Sequence, residues 1–481
     1  MMKKLVTFLT CATISLSTAF SMAACFQSGS DTLNVVEGKY NITVAVQKEG
    51  GEPELMTIYK RAYEAKHPEV NIIIKDFKGA LFQSYMTKYA MSENDLPMMI
   101  WMPDDQFDFH AAGGYFVDLR PYYEQNAETD YSLYYESMLH AASYADEFRP
   151  TTSYSGSYEG EKSNSRQYGI YFAPRDYNQI GIVYNKNLFN ELNVEVPDTS
   201  NGWTFEEYIT LINEIAAKIK AGGNKYLSYR AANIFLPWEP VYTTVFNALG
   251  TDGLTKDGVY NMDSEKNKEI CAYLYENIYD TKQCFDATDS FARGTVFMTT
   301  ASHATVKSLA EKIKDKNGNP AIDFLPYPTE YVAAGCSGYG ITSIHANETQ
   351  TVNGVSKTSA ALCWDFIKFI ISEEGQELGG EAGYIQPILK SLEKTGKWLT
   401  ALDSTMNHSA FAFGKELKQN SFNAYDPQCR DGLRSIFTTT FGALQNENTG
   451  TPELMAKDTF PKFKKAFADE VKPFDQSIYE K

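Results

Sequence analysis

Apolar and polar residues alternate on both sides of a short polar segment near the middle of the chain. Residues 168–173 and 180–184 each alternate with a period of two, which predicts two strands. Pro174 removes a backbone donor between them, so the hydrogen-bond ladder is interrupted there. The next residues, 175–179, are polar or amphipathic, and they form either a surface loop or the floor of a cleft. We interpret them as the floor of a cleft, at a hinge between two lobes.

The N-terminal part of the chain has the pattern of a strand, a helix and a second strand. Residues 42–46 (ITVAV) are mostly apolar and predict a buried strand, and Val70, Ile72 and Ile74 alternate with their neighbours, which predicts the next strand. Between them, residues 54–66 carry apolar side chains at the spacing of one helix face, and Pro68 ends the helix. Such a unit predicts a parallel sheet. Strands and helices continue along 481 residues, too many for one core, so the sequence predicts an α/β protein with two lobes.

The composition narrows the classes of partner and of chemistry. The formal net charge is −17 at pH 7, which argues against nucleic-acid binding, and 43% hydrophobic residues predict a packed globular protein. The seven cysteines include no C-x-x-C pair and the six histidines have no ligand spacing, so we expect neither a metal site nor a disulfide framework. Nucleotide-binding, hydrolase and metalloprotease motifs are absent from the sequence, so we expect no cofactor and no catalytic residue.

The N-terminus has the pattern of a bacterial export signal. Two lysines precede an apolar stretch at 5–22, which ends in Met-Ala-Ala-Cys25 and resembles a lipobox. In this interpretation residues 1–24 are a lipoprotein signal peptide, Cys25 carries fatty acids such as palmitate, and residues 25–39 are a tether. We then expect the protein to be lipid-anchored on the extracytoplasmic face of the cell membrane. The alternative is an ordinary signal that is cut nearby and leaves a free thiol at Cys25.

Short motifs lie in a characteristic order along the mature chain. They are HPEV at 67–70, LPMMI at 96–100, GGYFVDL at 113–119, VYNKNLF at 183–189, WTFEE at 203–207, FARGTVFM at 291–298 and ALCWDFIKFIISEEGQ at 361–376. Together they resemble the extracellular solute-binding proteins of sugar ABC transporters, the class that includes maltose-binding protein. The resemblance covers nearly the whole mature chain.

The resemblance implies the two-lobe, type II periplasmic-binding-protein fold. Each lobe is then a mostly parallel sheet flanked by helices, and a hinge of several segments joins the lobes. The implied boundaries are 40–174 with 335–378 for lobe one, 178–330 with 383–481 for lobe two, and 174–179, 328–338 and 375–383 for the hinge crossings.

The resemblance also implies where the ligand lies. Carboxylates and amides bind sugar hydroxyls, and aromatic rings cover the C–H face of a sugar. The turns that face the ligand in the family nominate most of the candidates, whereas Trp238 and Glu239 are chosen for their chemistry alone. The candidates are Asp105, Gln106, Phe107, Asp176, Tyr177, Asn178, Trp238, Glu239, His303, Tyr339, Tyr384 and Gln386.

The implied function is capture of a carbohydrate, above all an oligosaccharide, between the lobes of a monomer. Hinge closure then delivers the ligand to the permease of an ABC importer. Two alternatives remain open: a binding protein for another solute such as a peptide or a polyamine, and a surface glycan-active enzyme such as a lyase. Arg175 either pairs with neighbouring residues or meets an anionic sugar such as a uronate.

Overall fold

The fold is described from a computed structural model of the 481-residue chain. The predicted signal peptide, the lipidation site Cys25, and the candidates Asp105, Gln106 and Phe107 lie outside the described residues. The described residues are 34–78, 96–104, 111, 115–125, 127–135, 138–139, 142–144, 169–236, 238–251, 255–256, 259–260, 263–279, 291–417, 439–444 and 450–470.

The strands are short, and most belong to two sheets. In chain order they are β1 Tyr40–Gln47, β2 Val70–Phe77, β3 Met99–Pro103, β4 Ser143–Tyr144, β5 Gly169–Ile170, β6 Ala173–Pro174, β7 Asn178–Asn185, β8 Arg230–Asn233, β9 Thr255–Lys256, β10 Val259–Tyr260, β11 Val296–Ser302, β12 Ile322–Pro326, β13 Tyr331–Gly335, β14 Ser337–Ile341, β15 Thr349–Val352, β16 Val355–Thr358 and β17 Lys415–Leu417.

The helices cover the faces of these sheets. They are α1 Glu52–Lys66, α2 Arg120–Tyr123, α3 Lys186–Glu191, α4 Phe205–Ala221, α5 Glu239–Ala248, α6 Glu265–Leu274, α7 His303–Lys312, α8 Ser359–Ile371, α9 Glu373–Glu381, α10 Pro452–Leu454 and α11 Phe460–Glu470. Shorter 3₁₀ turns include Glu49–Gly51, Lys390–Leu392, Lys397–Thr400 and His408–Ala412, and π turns cover Tyr275–Tyr279 and Met455–Thr459.

The sheet of lobe one has the strand order β2-β1-β3-β14-β6. α1 connects β1 to β2, and these two strands pair in parallel from Tyr40 opposite Val70, so the predicted strand–helix–strand unit is confirmed. The helix forms because its apolar side chains share one face, on which Leu55, Tyr59 and Tyr63 are buried in the core of this lobe. This packing fixes the N-terminus of α1 at the edge of lobe one.

The sheet of lobe two is built around β7. β11, β12 and β13 pair with β7 antiparallel, whereas β8 joins β11 and β17 joins β13 in parallel. In lobe one, β14 likewise runs antiparallel to β3 and β6. The prediction of mostly parallel sheets is therefore wrong, and both sheets are mixed. The physical reason is that strands entering a lobe through the hinge run against the strands formed within that lobe.

The chain passes between the two sheets at two points among the described residues. The chain leaves the first sheet after β6, passes through 175–177 and enters the second sheet at β7. It returns from β13 to β14 through Cys336 alone. We call residues 174–179 the first crossing and Cys336 the second crossing.

The third crossing lies later than predicted. The expected passage at 375–383, with lobe two beginning at 383, is wrong, because apolar side chains beyond this segment complete the core of lobe one. The next buried side chain in a core of lobe two is Trp398. The residues that extend lobe one are Ile385, Ile388, Leu389 and Leu392.

Candidate functional site

A buried arginine lies at the first crossing and connects three parts of the chain. The Arg175 side chain is 1% exposed, and its guanidinium forms a two-pronged ion pair with Glu52 at the first turn of α1. The same group donates to Asp176, and to Ser337 Oγ over 2.8 Å. We call Arg175, Glu52, Asp176 and Ser337 the Arg175 cluster. It joins lobe one to both crossings, so Arg175 pairs with its neighbours rather than offering a free positive charge.

Asp176 has no acceptor position left for a ligand. Its Oδ1 accepts from the backbone N–H of Ser337 at 2.6 Å and from Asn178 Nδ2 at 2.7 Å. Its Oδ2 accepts from Arg175 and from Ser337 Oγ at 2.7 Å. Two carboxylate oxygens offer about four acceptor positions, and all are used. The structure therefore places Asp176 as an internal support and not as a ligand contact.

The two carboxylates of the cluster differ in the number of donors they receive. One guanidinium serves two carboxylates, and Asp176 also receives three other donors whereas the bonds found for Glu52 come from Arg175. Burial raises the pKa of the Glu52 carboxyl, and the charge and hydrogen bond of Arg175 offset this only in part. Burial opposes the charge of Arg175, but Glu52 and Asp176 outweigh it and raise the pKa of the guanidinium.

Asn178 and Tyr177 form the rest of the first crossing. Asn178 is 8% exposed and donates its amide N–H to Asp176, while its Oδ1 has no hydrogen-bond partner among the described residues. The ring of Tyr177 stacks on Tyr135, with centroids 4.2 Å apart. Tyr135 in turn donates its hydroxyl to Glu393 at 2.9 Å. Burial raises the pKa of the Tyr177 phenol, so the hydroxyl stays protonated and can donate.

Gln386 and Tyr384 lie beside this crossing on the third segment. The backbone carbonyl of Gln386 accepts from the backbone N–H of Tyr177 at 2.9 Å, and its side-chain Nε2 donates to the backbone carbonyl of Phe411 at 3.1 Å. Tyr384 is half-buried, and Lys307 Nζ lies 3.9 Å from its ring centroid. Because Lys307 belongs to α7 of lobe two and Tyr384 packs on the core of lobe one, this is a contact between the lobes.

Of the remaining described candidates, Tyr339 contacts the Arg175 cluster, whereas His303, Trp238 and Glu239 belong to lobe two. Tyr339 is buried against Arg175, with Arg175 Nη1 3.4 Å from its hydroxyl oxygen. His303 is fully buried in lobe two, where its Nε2 lies 3.0 Å from His408 Nδ1 and its ring packs edge-on against Trp398. Trp238 packs partly buried against the core of lobe two, and Glu239 begins α5.

Several residues of the site carry no sequence signal. Glu52 lies 123 positions from Arg175 along the chain, and Ser337 lies 162 positions from it. Gln376, fully buried, donates to the Arg175 carbonyl at 2.9 Å and accepts from the Ile388 N–H at 2.8 Å. The only local hint is an acidic residue in the first turn of α1, which is a common preference at helix N-termini.

The described residues contain neither a cluster of potential metal ligands nor a candidate membrane-spanning helix. No group of three or more metal-ligating side chains occurs among those residues. Within the same residues, none of the helices combines the length and the apolarity that a membrane crossing requires.

Comparison with known proteins identifies the family and the fold. The family model described as bacterial extracellular solute-binding protein matches residues 58–402. No curated protein matches the chain.

Solved structures match the chain nearly end to end. The ABC substrate-binding protein Lmo0181 from Listeria monocytogenes, in complex with cycloalternan, has a TM-score of 0.64 at 16% identity, covering 89% of this chain and 99% of that one. UgpB from Mycobacterium tuberculosis, in complex with glycerophosphocholine, has a TM-score of 0.65 at 13% identity, covering 90% and 99%. Maltose-bound MalE3 from T. maritima has a TM-score of 0.60 at 13% identity, covering 88% and 100%. These likenesses establish the two-lobe, type II fold.

Proposed function

Because the chain belongs to the family of bacterial extracellular solute-binding proteins, we propose that it captures an oligosaccharide for an ABC importer. The ligand binds between the lobes, the hinge closes, and the closed form docks on a membrane permease. A ligand drives closure only if it binds the closed state better than the open one, and contacts to both lobes supply that difference.

The observation that carries this proposal is the chemistry of the first crossing. Asn178 offers a buried amide oxygen, and the neighbouring Tyr177 belongs to a stacked aromatic pair. Amide oxygens accept from hydroxyls, and aromatic surfaces cover the C–H face of a sugar. Saccharides bound to the similar proteins, cycloalternan and maltose, favour the same ligand class. Asp105, Gln106 and Phe107 stay predicted contacts from the opposite lobe.

The competing ligand is a cationic or zwitterionic solute. The net charge of −17 suits a cation, and UgpB shares the fold in complex with glycerophosphocholine. A polyamine would also find acceptors at the crossing. A peptide remains a third possibility.

The anchor and the absence of catalysis belong to the same proposal. Lipidation at Cys25, with residues 25–39 as a tether, would hold a monomeric binding protein beside its permease on the extracytoplasmic face of the membrane. Capture and release require no bond to break, so we propose that the protein is not an enzyme. Product formation from incubated oligosaccharides would contradict this.

A ligand screen tests the function. Thermal unfolding of the purified mature domain is followed with maltose, maltotriose, cycloalternan, glycerophosphocholine and spermidine. A ligand at 100 times its Kd stabilises the fold by about 2.7 kcal/mol, which is readily detected. Small-angle scattering with the best ligand should show compaction. Stabilisation by spermidine or glycerophosphocholine alone, or a tight sugar that leaves the scattering unchanged, would contradict the proposal.

A further inference from the structure

The amide of Asn178 can adopt only one of its two orientations. Its Nδ2 lies 2.7 Å from Asp176 Oδ1. The other neighbours of this carboxylate are the backbone N–H and hydroxyl of Ser337 and the guanidinium of Arg175, all donors to Asp176. The carboxylate is therefore a pure acceptor, and a flipped amide would point its oxygen at another oxygen.

Asp176 is itself held rigidly. It is fully buried, and its partners come from the first crossing and from the start of β14. Arg175 is held in turn by Glu52 at the N-terminus of α1. Since each bond restrains one oxygen of the carboxylate, Asp176 cannot rotate to release Asn178 without leaving buried donors without partners, a change that costs about 1–3 kcal/mol.

The consequence is a fixed orientation of the Asn178 amide at the first crossing. The Asn178 side chain is more than nine-tenths buried, and its Oδ1 has no partner among the residues the structure describes. Building on the proposed function, we infer that Asp176 is a positioning residue that makes Asn178 present its carbonyl oxygen to the ligand. The ligand group that meets Asn178 is then a hydrogen-bond donor, a hydroxyl or an ammonium.

The same geometry rejects anionic groups at this position. A carboxylate or phosphate oxygen can only accept, so it would face the oxygen of Asn178 without a shared proton. The nearby guanidinium cannot compensate, because Arg175 is 1% exposed and paired with Glu52 and Asp176. A uronate carboxyl at this point of the cleft is thereby excluded, whereas a neutral sugar hydroxyl fits.

The first arm of the test needs no ligand. Protein labelled with side-chain ¹⁵N-asparagine gives an amide pair for Asn178, assigned by its loss in Asn178→Leu. One proton of this pair should exchange at least about tenfold more slowly than those of Asn201, which is exposed on a turn. In Asp176→Asn, which keeps the shape but also offers a donor, this protection should be lost. Exchange at the rate of Asn201 in the wild type, or protection unchanged in Asp176→Asn, would overturn the inference.

The second arm compares the affinity for maltose with the affinities for its monodeoxyfluoro derivatives. In each derivative a fluorine, which cannot donate a hydrogen bond, replaces one hydroxyl. At one ring position the fluorinated sugar should bind about tenfold more weakly than maltose, and Asn178→Leu should abolish this difference. A difference that persists at every position in Asn178→Leu, or an absence of any penalty in the wild type, would overturn the inference. Failure to bind any sugar of the screen would instead refute the proposed function, and the exchange measurement would still decide the role of Asp176.

Discussion

Replacing Arg175 by methionine should be severely destabilising. The substitution keeps much of the volume but leaves Glu52 and Asp176 buried without the cation they share. It also removes a donor 2.8 Å from Ser337 Oγ. Removing one partner of a buried ion pair costs about 3–5 kcal/mol, because the other partner remains as an uncompensated charge. The expected loss is therefore about 3–5 kcal/mol, a large share of the 5–15 kcal/mol typical of folded domains.

Urea unfolding followed by circular dichroism measures this loss, with a matched arginine as control. Arg120 forms a comparable pair with Asp118, but their side chains are 20% and 27% exposed, so Arg120→Met should cost about 1 kcal/mol or less. Adding Glu52→Gln to Arg175→Met should recover part of the stability, because one stranded charge disappears. If Arg175→Met lowers the free energy of unfolding no more than Arg120→Met does, Glu52 and Asp176 do not depend on Arg175 as their buried counter-charge, and the reasoning is refuted.

Three further predictions concern titration and the contact between the lobes. The pKa of Glu52 is raised in the folded state, so wild-type stability should fall as the pH rises from about 4.5 through the pKa of the folded protein. In urea titrations at several pH values, Glu52→Gln should reduce this dependence of the unfolding free energy on pH. Burial lowers the pKa of His303 and of His408, so stability should be lost as the pH falls from about 6.5 towards the pKa values of the folded state. Melting temperatures measured between pH 7 and 5 should show a smaller loss in His303→Phe. Lys307→Met removes the contact with Tyr384 and a hydrogen bond to the Ala382 carbonyl, so calorimetry should give about fivefold weaker ligand binding. The control Lys312→Met, at an exposed position of α7, should leave the affinity unchanged. Equal affinities of the two variants would contradict a role for the contact in closure.

Local signals in the sequence predict the elements well. The helix expected at 54–66 is α1 at Glu52–Lys66. The prediction succeeds because the apolar face of the helix and the residues that end it lie within one continuous segment. Thr204 and Glu207 have the T-x-x-E spacing of a capping box, and both bonds of that box are present at the start of α4. These features depend on neighbours a few residues apart, which a single sequence displays directly.

The errors arise where the partner is distant in sequence. An apolar run after a glycine turn does not reveal which core it joins, so Ile385 and Leu392 were assigned to the wrong lobe. His303 directly follows β11, but it pairs with His408, 105 positions away, within the buried part of lobe two. Asp176 has the side chain of a sugar-binding residue, yet two of its four acceptor positions are filled by Ser337, which is 161 positions away.

The Arg175 cluster also constrains how the hinge can move. Asp176 holds Asn178 through Oδ1 and binds Ser337, just beyond the second crossing, through both oxygens. Rotation between residues 176 and 337 would break several buried hydrogen bonds at once, at about 1–3 kcal/mol for each polar group left without a partner. We therefore infer that closure is taken up in the residues flanking the cluster. If Asn178 meets the ligand as proposed, its amide has the same orientation before and after closure, so the preference for a hydrogen-bond donor does not depend on closure.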